Sequence, residues 1–373
     1  MNERLNKVLE GELFKKIRKK HGDNILVRGA DYQHRNLLRI PTGITQLDYA
    51  LGGGWPVGRV SIVYGHKSTG KTSLLTRGIA NAQKMCSNCW APHTEEAEVV
   101  DPETGEIRYC TCDDYNAPVI AYLDVEGTYD LDWATRIGVD TESLILSVPD
   151  YAEQTLDIAE ALVRSTEVDI LIIDSLAFLS TAKEIEESTG KALQAEQARV
   201  LGRAIRKFVS AINYCGNQVG RRPTMWFTNQ IRMKMGIMFG NPETQPGGFA
   251  SGFVASTEVK TKGGKYTMDD VTGKPIYVDL GYRVDKNKTS HARIEGEYRM
   301  ILADTETKCM GDVYDENFIL SMGIKVGLIE KQGGGWMCLE EKYRKKADIE
   351  EKLLKDRNFK RTMSQALMQI LEA

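Results

Sequence analysis

The sequence predicts an α/β protein in which a mostly parallel central sheet is covered by helices. Two observations carry this. Four apolar runs, VSIVYG (60–65), APVIAYLDVEG (117–127), VDILIIDS (168–175) and PTMWFTNQ (223–230), stand at wide spacing and lack the polar alternation of a half-solvated strand. Helical patterns lie between them: EQTLDIAEALVRS precedes VDILIIDS, and in LQAEQARVLGRAIRKFVSAIN the residues Leu193, Leu201, Ile205, Phe208 and Ile212 share one face. Buried strands alternating with helices give a parallel sheet covered on both sides.

Taken in chain order, residues 1–38 predict an amphipathic helix and a linker, which a filament-forming protein would use at a protomer interface, with FKKIRKKHG as a basic knot that by itself reads as a solvated helix face. The core is expected over 39–336. It opens with RIPTGITQLDYAL and the Gly/Pro-rich turn GGGWPVGR before the first buried strand, and it contains an insert at 86–112. A short helical segment of mixed charge is expected over 337–373. The chain has 373 residues, 42% hydrophobic and 27% charged, enough for one large core with smaller appendages. No long apolar run suggests a membrane span, and the charged N-terminus lacks the apolar centre of a signal peptide, so a cytoplasmic protein is expected. A formal net charge of −3 does not announce a nucleic-acid binder, so any such surface must concentrate its cations locally.

GHKSTGKT, Gly65–Thr72, fits G-x-x-x-x-G-K-[ST] between the strand VSIVY and the helix SLLTRGIANAQK, the context a phosphate-binding loop requires. Gly65, His66, Lys67, Ser68, Thr69, Gly70 and Ser73 supply the turn and its backbone N–H groups. Lys71 carries charge to the β and γ phosphates of ATP, and Thr72 offers its hydroxyl to Mg²⁺. Asp174 ends VDILIIDS at a carboxyl strand end, where an aspartate holds the magnesium shell. Glu126, at the end of YLDVEG, is placed to orient or deprotonate a water. Gln230 ends TNQ with both a donor and an acceptor, able to pass the γ-phosphate signal into IRMKMGIMFGNPETQPGG.

Cys86, Cys89, Cys110 and Cys112 form two close pairs about twenty residues apart, with DPETG (101–105) as a turn that folds the stretch back. In a reducing compartment this predicts a Cys₄ site for structural Zn²⁺, with His93 as an alternative ligand. A closed four-thiolate site has no open position for substrate, and an insert after the helix following the phosphate loop lies at the far edge of the sheet from ATP. The expected role is a knuckle that docks a neighbouring protomer, DNA or an accessory protein, with Trp90 as a contact.

The segments TGITQLDYALGGG, GRVSIVYGHKSTGKT, GVDTESLILSVPD, VDILIIDSLAFL, NQIRMKMGIMFGNPET and DKNKT, in order from about 42 to 289, resemble the bacterial RecA recombinase family. The resemblance implies a DNA-dependent ATPase that forms helical filaments on single-stranded DNA and pairs it with double-stranded DNA. It assigns ATP and magnesium to Lys71, Thr72 and Asp174, water activation to Glu126 and γ-phosphate sensing to Gln230. Lys286 and Lys288 match the pair that reaches the neighbour's ATP site, Phe253 the interface aromatic, and Trp133 the tyrosine that stacks on adenine. Two DNA loops are implied near Glu186 to Gln197 and from Ile231 to Gly248. Arg199, Arg206, Arg232 and the backbone at Gly236, Gly247 and Gly248 would meet phosphates, Met235 would wedge between bases, and Lys262 and Arg283 are candidates for a weaker second DNA site.

The sequence departs from the family in its short C-terminal segment, in the loop NQVGRRP (217–223) and in the cysteine insert. A RecA-core helicase or a RadA-like branch-migration ATPase is the alternative function, but the zinc motif of the latter would precede the core and a protease-like domain would follow it.

Overall fold

The computed structural model describes residues 3–26, 38–93, 109–113, 115–186, 194–233, 243–244, 252 and 254–372. Its central element is a nine-stranded sheet. In chain order the strands are β3 (Val60–Gly65), β4 (Ile120–Asp124), β5 (Leu144–Ser147), β6 (Ile170–Asp174), β7 (Thr224–Gln230), β10 (Thr257–Met268), β11 (Pro275–Asn287), β12 (Glu295–Ile301) and β13 (Val313–Tyr314). Their spatial order is β13-β12-β11-β10-β3-β7-β6-β4-β5. All pairings from β10 through β3, β7, β6 and β4 to β5 are parallel, and β11, β12 and β13 extend the sheet antiparallel. The expected parallel core is present, and the antiparallel wing adds to it.

The continuous apolar runs are explained by two cores, one on each face. Side chains alternate along every central strand: Ile120, Tyr122, Ile170, Ile172 and Trp226 enter one cluster, while Ala121, Leu123, Leu171, Ile173, Met225 and Phe227 enter the other. The first cluster packs under α3 (Thr45–Leu51), α4 (Lys71–Ala82) and α5 (Leu131–Ile137); the second packs under α6 (Ala152–Arg164) and α8 (Gln194–Gln218). Gly78 lets α4 press onto the sheet, because a Cβ there would meet the Trp226 ring at 3.0 Å and the Trp55 indole nitrogen at 3.1 Å.

The N-terminal helices α1 (Glu3–Leu9) and α2 (Glu12–His21) carry the basic knot, and α2 buries none of its residues. At the other end, α9 (Glu316–Lys325), β14 (Ile329–Gln332), β15 (Gly335–Cys338), β16 (Glu341–Tyr343), α10 (Lys346–Lys355) and α11 (Arg357–Glu372) enclose a third core of Ile319, Leu320, Ile329, Cys338, Ile349, Leu353, Phe359 and Met363. Residue 337, where the sequence suggested a helical segment begins, lies inside β15, and the packing unit contains a three-stranded sheet as well as helices. The short strands β1 (Arg39–Ile40) and β2 (Trp55–Pro56) pair beside the main core, as do β8 (Arg232–Met233) and β9 (Glu243–Thr244) elsewhere; α7 spans Ala182–Glu186.

Candidate functional site

The phosphate loop leaves β3 at Gly65 and enters α4 at Lys71. Two residues adopt left-handed backbone to turn it, Ser68 at φ 59° and the helix-capping Gly70 at φ 78°. Gly65 has no room for a side chain, since a Cβ would meet the Thr261 hydroxyl at 2.3 Å and its carbonyl oxygen at 2.6 Å. Lys71 is buried and donates to the His66 carbonyl (2.7 Å). Burial lowers the pKa of this ammonium, and Asp174 and Glu126 oppose the shift. A buried cation held by a backbone carbonyl at a helix N-terminus is a cradle for an anion, so the residues fit a nucleotide triphosphate.

Asp174 is the centre of a web that sequence reading did not find. Thr72 donates to its Oδ2 (2.6 Å), Tyr122 donates to the same oxygen (2.7 Å) and Thr228 donates to Oδ1. Burial, reinforced by Asp174, keeps the Tyr122 hydroxyl protonated far above its ordinary pKa. The oxygen donors Thr72 and Asp174 therefore share one point, a donor set that suits Mg²⁺. Glu126 stands on the neighbouring strand end, half-buried, and accepts from the Ser175 hydroxyl (2.8 Å). Behind it, Asp124 accepts from the backbone N–H groups of Gly127 (2.9 Å) and Tyr129 (2.8 Å), so this carboxylate holds the turn that carries Glu126. Tyr122, Asp124 and Thr228 lie at strand positions whose only sequence signal is a polar atom inside an apolar run.

Gln230 pairs with Gly65 across β7 and β3, and the next residue, Ile231, donates its N–H to the Gly65 carbonyl (3.2 Å). The strand that reaches the phosphate loop thus continues directly into β8 and the segment assigned to DNA. Trp133 on α5 packs partly buried beside the first core and donates from its indole N–H to the Ser73 hydroxyl (3.0 Å), which brings the proposed stacking ring to the start of α4.

Lys286 and Lys288 lie elsewhere. Thr257 of β10 pairs with Asn287, whereas Thr261, four residues on, pairs with Gly65. The lysine pair is thus about 13 Å along the strand from this chain's own phosphate loop. Lys286 donates to the Gly252 carbonyl; burial and the adjacent Lys288 lower its pKa, while Glu258 opposes.

Arg199 and Arg206 are exposed on α8, and exposed Arg232 donates to the Ala177 carbonyl (3.1 Å). Gln197 donates to the Leu179 carbonyl (2.8 Å), so the start of α8 and the exit of β7 meet the same turn. Lys262 pairs with Glu295 (2.8 Å) and Arg283 with Asp285 (2.5 Å), so both candidates for a second DNA site already face carboxylates. Met235, Gly236, Gly247, Gly248, Phe253 and the DPETG turn lie outside the described residues.

The four cysteines do converge. The sulfurs of Cys86, Cys89, Cys110 and Cys112 all lie within 4.8 Å of one another. A tetrahedral zinc with bonds of about 2.3 Å needs sulfurs about 3.8 Å apart, so the donor set fits. Burial resists ionisation of Cys86, but backbone N–H donation from Asn116 and Asn88 outweighs it and brings the thiol to about 7; its partners push Cys112 up to about 12. Thiols this close cannot all ionise without a cation between them. The knuckle is closed by Cys86 N–H to the Ala91 carbonyl (2.9 Å) and Cys110 N–H to the Pro92 carbonyl (2.8 Å), and His93 stacks on Tyr115 with centroids 4.0 Å apart. It follows α4, whose 12 residues span about 18 Å from the phosphate end. Trp90 corrects the sequence reading: it is only 6% exposed and belongs to the first core, so it anchors the knuckle inward and presents no face to a partner. The outward contact is Tyr109, which accepts a hydrogen bond from Arg361 of α11 and lies 5.7 Å from its guanidinium.

A glycine-turned loop at the carboxyl edge of a parallel sheet, with Lys71, Thr72 and Asp174 converging there, defines the P-loop class of nucleotide-binding proteins. The comparison with known families narrows this. The RecA N-terminal domain model matches residues 7–108 and 107–304, the join falling within the cysteine insert. The chain is 34% identical over 370 residues to "Protein RecA" of Francisella philomiragia, covering 98% of this chain and 89% of the relative. It is 32% identical over 333 residues to "Protein RecA" of Petrotoga mobilis, covering 88% and 78%, and 33% identical over 370 residues to that of Francisella tularensis subsp. novicida, covering 98% and 89%. The chain belongs to the RecA family.

Proposed function

We propose that this chain is an ATP-dependent DNA recombinase that assembles into helical filaments on single-stranded DNA and catalyses pairing and strand exchange with double-stranded DNA. The observation that carries the reading is the convergence of Lys71, Thr72, Asp174, Glu126 and Gln230 on one sheet edge, with Gln230 continuing straight into the arm that bears Arg232. Relatives named for RecA over nearly the whole chain favour this over a helicase or a branch-migration ATPase. Mg²⁺-ATP would supply the scissile γ phosphate. Lys71 binds its charge, Thr72 and Asp174 provide oxygen ligands, Trp133 offers a stacking face, and Glu126, aimed by Ser175, takes the proton of the attacking water.

Self-association is supported by the sheet edge. Among the described residues β5 has no partner on its outer side, and Ile145 (45%) and Leu146 (38%) of this strand and Val148 (60%) just beyond it are exposed, an apolar edge suited to a strand from the next copy. The distance of Lys286 and Lys288 from their own phosphate loop supports action on a neighbour's nucleotide. Cys86, Cys89, Cys110 and Cys112 would hold structural Zn²⁺, a role that suits the reducing cytoplasm. No helix among the described residues is long and apolar enough to cross a membrane.

The test is phosphate release from ATP with and without single-stranded DNA, together with electron microscopy of the protein on DNA with a slowly hydrolysed ATP analogue. DNA-stimulated hydrolysis and helical filaments are expected. Turnover unaffected by DNA, with no filaments, refutes the reading.

A further inference from the structure

The segment assigned to DNA leaves the core through β8 and returns through β9, and each arm touches the phosphate loop. The outgoing arm does so through Gln230, paired with Gly65. The returning arm does so through Glu243, paired with Met233 across the two short strands, whose Oε1 lies 3.6 Å from Nε2 of His66. The other oxygen of Glu243 accepts from Lys260 of β10, which is itself paired with Tyr64. Glu243 therefore joins three things: the DNA arm, the sheet beside β3 and the exposed ring of the second residue of the phosphate loop.

We propose that His66 and Glu243 form a second coupling route, independent of Gln230, by which the nucleotide sets the position of the returning DNA arm. The inference rests on the ATP-dependent DNA binding proposed above and adds two positioning residues to it. The device lies in how His66 is held. Its carbonyl accepts from Lys71 Nζ (2.7 Å) and from the Thr69 hydroxyl (2.9 Å). A phosphate competes for the Lys71 ammonium, because hydrogen bonds between ionised partners are roughly twice as strong as neutral ones. When Lys71 turns to the phosphate, His66 loses one of the two bonds that pin its backbone. The ring is 57% exposed and faces Glu243, so a shift of the His66 backbone changes this contact and leaves the carboxylate to Lys260. The two carboxylate oxygens thus give the returning arm two arrangements, one with the His66 contact and one without it, Lys260 holding the sheet in both. Differential contact in two states is what lets one ligand bias another.

The experiment measures binding of a fluorescein-labelled oligo(dT) by anisotropy, with and without a saturating non-hydrolysable ATP analogue and Mg²⁺. The ratio of the two dissociation constants is the coupling factor. For His66→Ala and for Glu243→Gln this factor is expected to fall by roughly 3- to 30-fold, the range found for residues that carry coupling between two sites. Fluorescent-nucleotide affinity of Glu243→Gln without DNA should stay within about twofold of the parent. The double variant should lose no more than either single variant, since both remove one contact. His66→Lys, which puts a donor opposite Glu243, should recover most of the factor. An unchanged factor in either single variant, additive losses in the double variant, or weakened nucleotide binding by Glu243→Gln alone overturns the proposal. A parent protein with no analogue-dependent gain overturns the recombinase reading beneath it, and this outcome is distinguishable because it appears before any substitution is made.

Discussion

Glu126→Gln isolates the hydrolytic step. Glu126 Oε1 accepts from Ser175 Oγ at 2.8 Å, and glutamine retains a carbonyl oxygen able to accept the same bond. The side chain keeps its aim and loses only its basicity. Lys71 is hydrogen-bonded to the His66 carbonyl and Thr72 to Asp174, bonds that do not involve residue 126, so nucleotide affinity should change by less than about threefold. A positioned general base contributes about 10²- to 10⁴-fold, equivalent to roughly 2.7–5.5 kcal/mol at 1.36 kcal/mol per tenfold. Single-turnover phosphate release with saturating ATP and excess single-stranded DNA should fall by that factor, and filaments should be longer-lived. Ser175→Ala should slow release by about tenfold, since it removes one hydrogen bond to a charged group and leaves the base. Release by Glu126→Gln at the parent rate refutes the assignment, because the neighbouring strand-end carboxylates are engaged, Asp174 by Thr72 and Tyr122 and Asp124 by backbone N–H groups.

Three further outcomes are expected. Arg206→Ala and Arg232→Ala should each flatten the dependence of log affinity for single-stranded DNA on log salt by roughly 0.7, and unchanged slopes would remove both from the interface. Protein purified without chelator should contain about one zinc per chain; Cys86→Ser with Cys89→Ser should lose it, speed amide exchange in α11 near Arg361 through the loosened Tyr109 contact, and leave nucleotide affinity intact. Zinc-free protein, or α11 exchange unaffected by metal loss, contradicts this. Asp48 is pushed from 3.8 to about 7, chiefly by burial, against two hydrogen bonds from Thr42 and with repulsion from Asp315. Its folded pKa lies above the unfolded one, so the native state binds the extra proton, and this stability is full below about pH 4 and lost as pH rises through about 7. Asp48→Asn should flatten the decline in denaturation midpoint over that range, gaining on the order of 2–4 kcal/mol relative to the parent at pH 8 compared with pH 4. Parallel profiles for the two proteins would exclude Asp48 as the titrating group.

What the chain declared locally, it declared in short words. The strand β3 and the turn through Thr72, which includes the first residues of α4, are thirteen consecutive positions whose chemistry is complete in itself, and β4, β6 and β7 stood out because a strand buried on both faces tolerates no polar alternation. Cysteine spacing likewise announced the convergence of the four thiols. The antiparallel wing was less legible, since Lys260, Lys262, Lys265 and Arg283 interrupt the apolar pattern of β10 and β11, and the ladder between those strands shows as pairing and not as periodicity.

Only the tertiary structure could decide which residues meet across long separations. Thr72 and Asp174 are 102 positions apart, Tyr109 and Arg361 are 252 apart, and His66 finds Glu243 only because β9 returns beside the sheet edge that the phosphate loop leaves. The same holds for Trp90, whose sequence suggested a surface contact while its packing put it in the core, and for the C-terminal unit, whose eight core residues come from α9, β14, β15, α10 and α11 together. Periodicity reports which face of one element is apolar. It carries no information about which other element covers that face, because that choice is made by the summed burial of the whole chain.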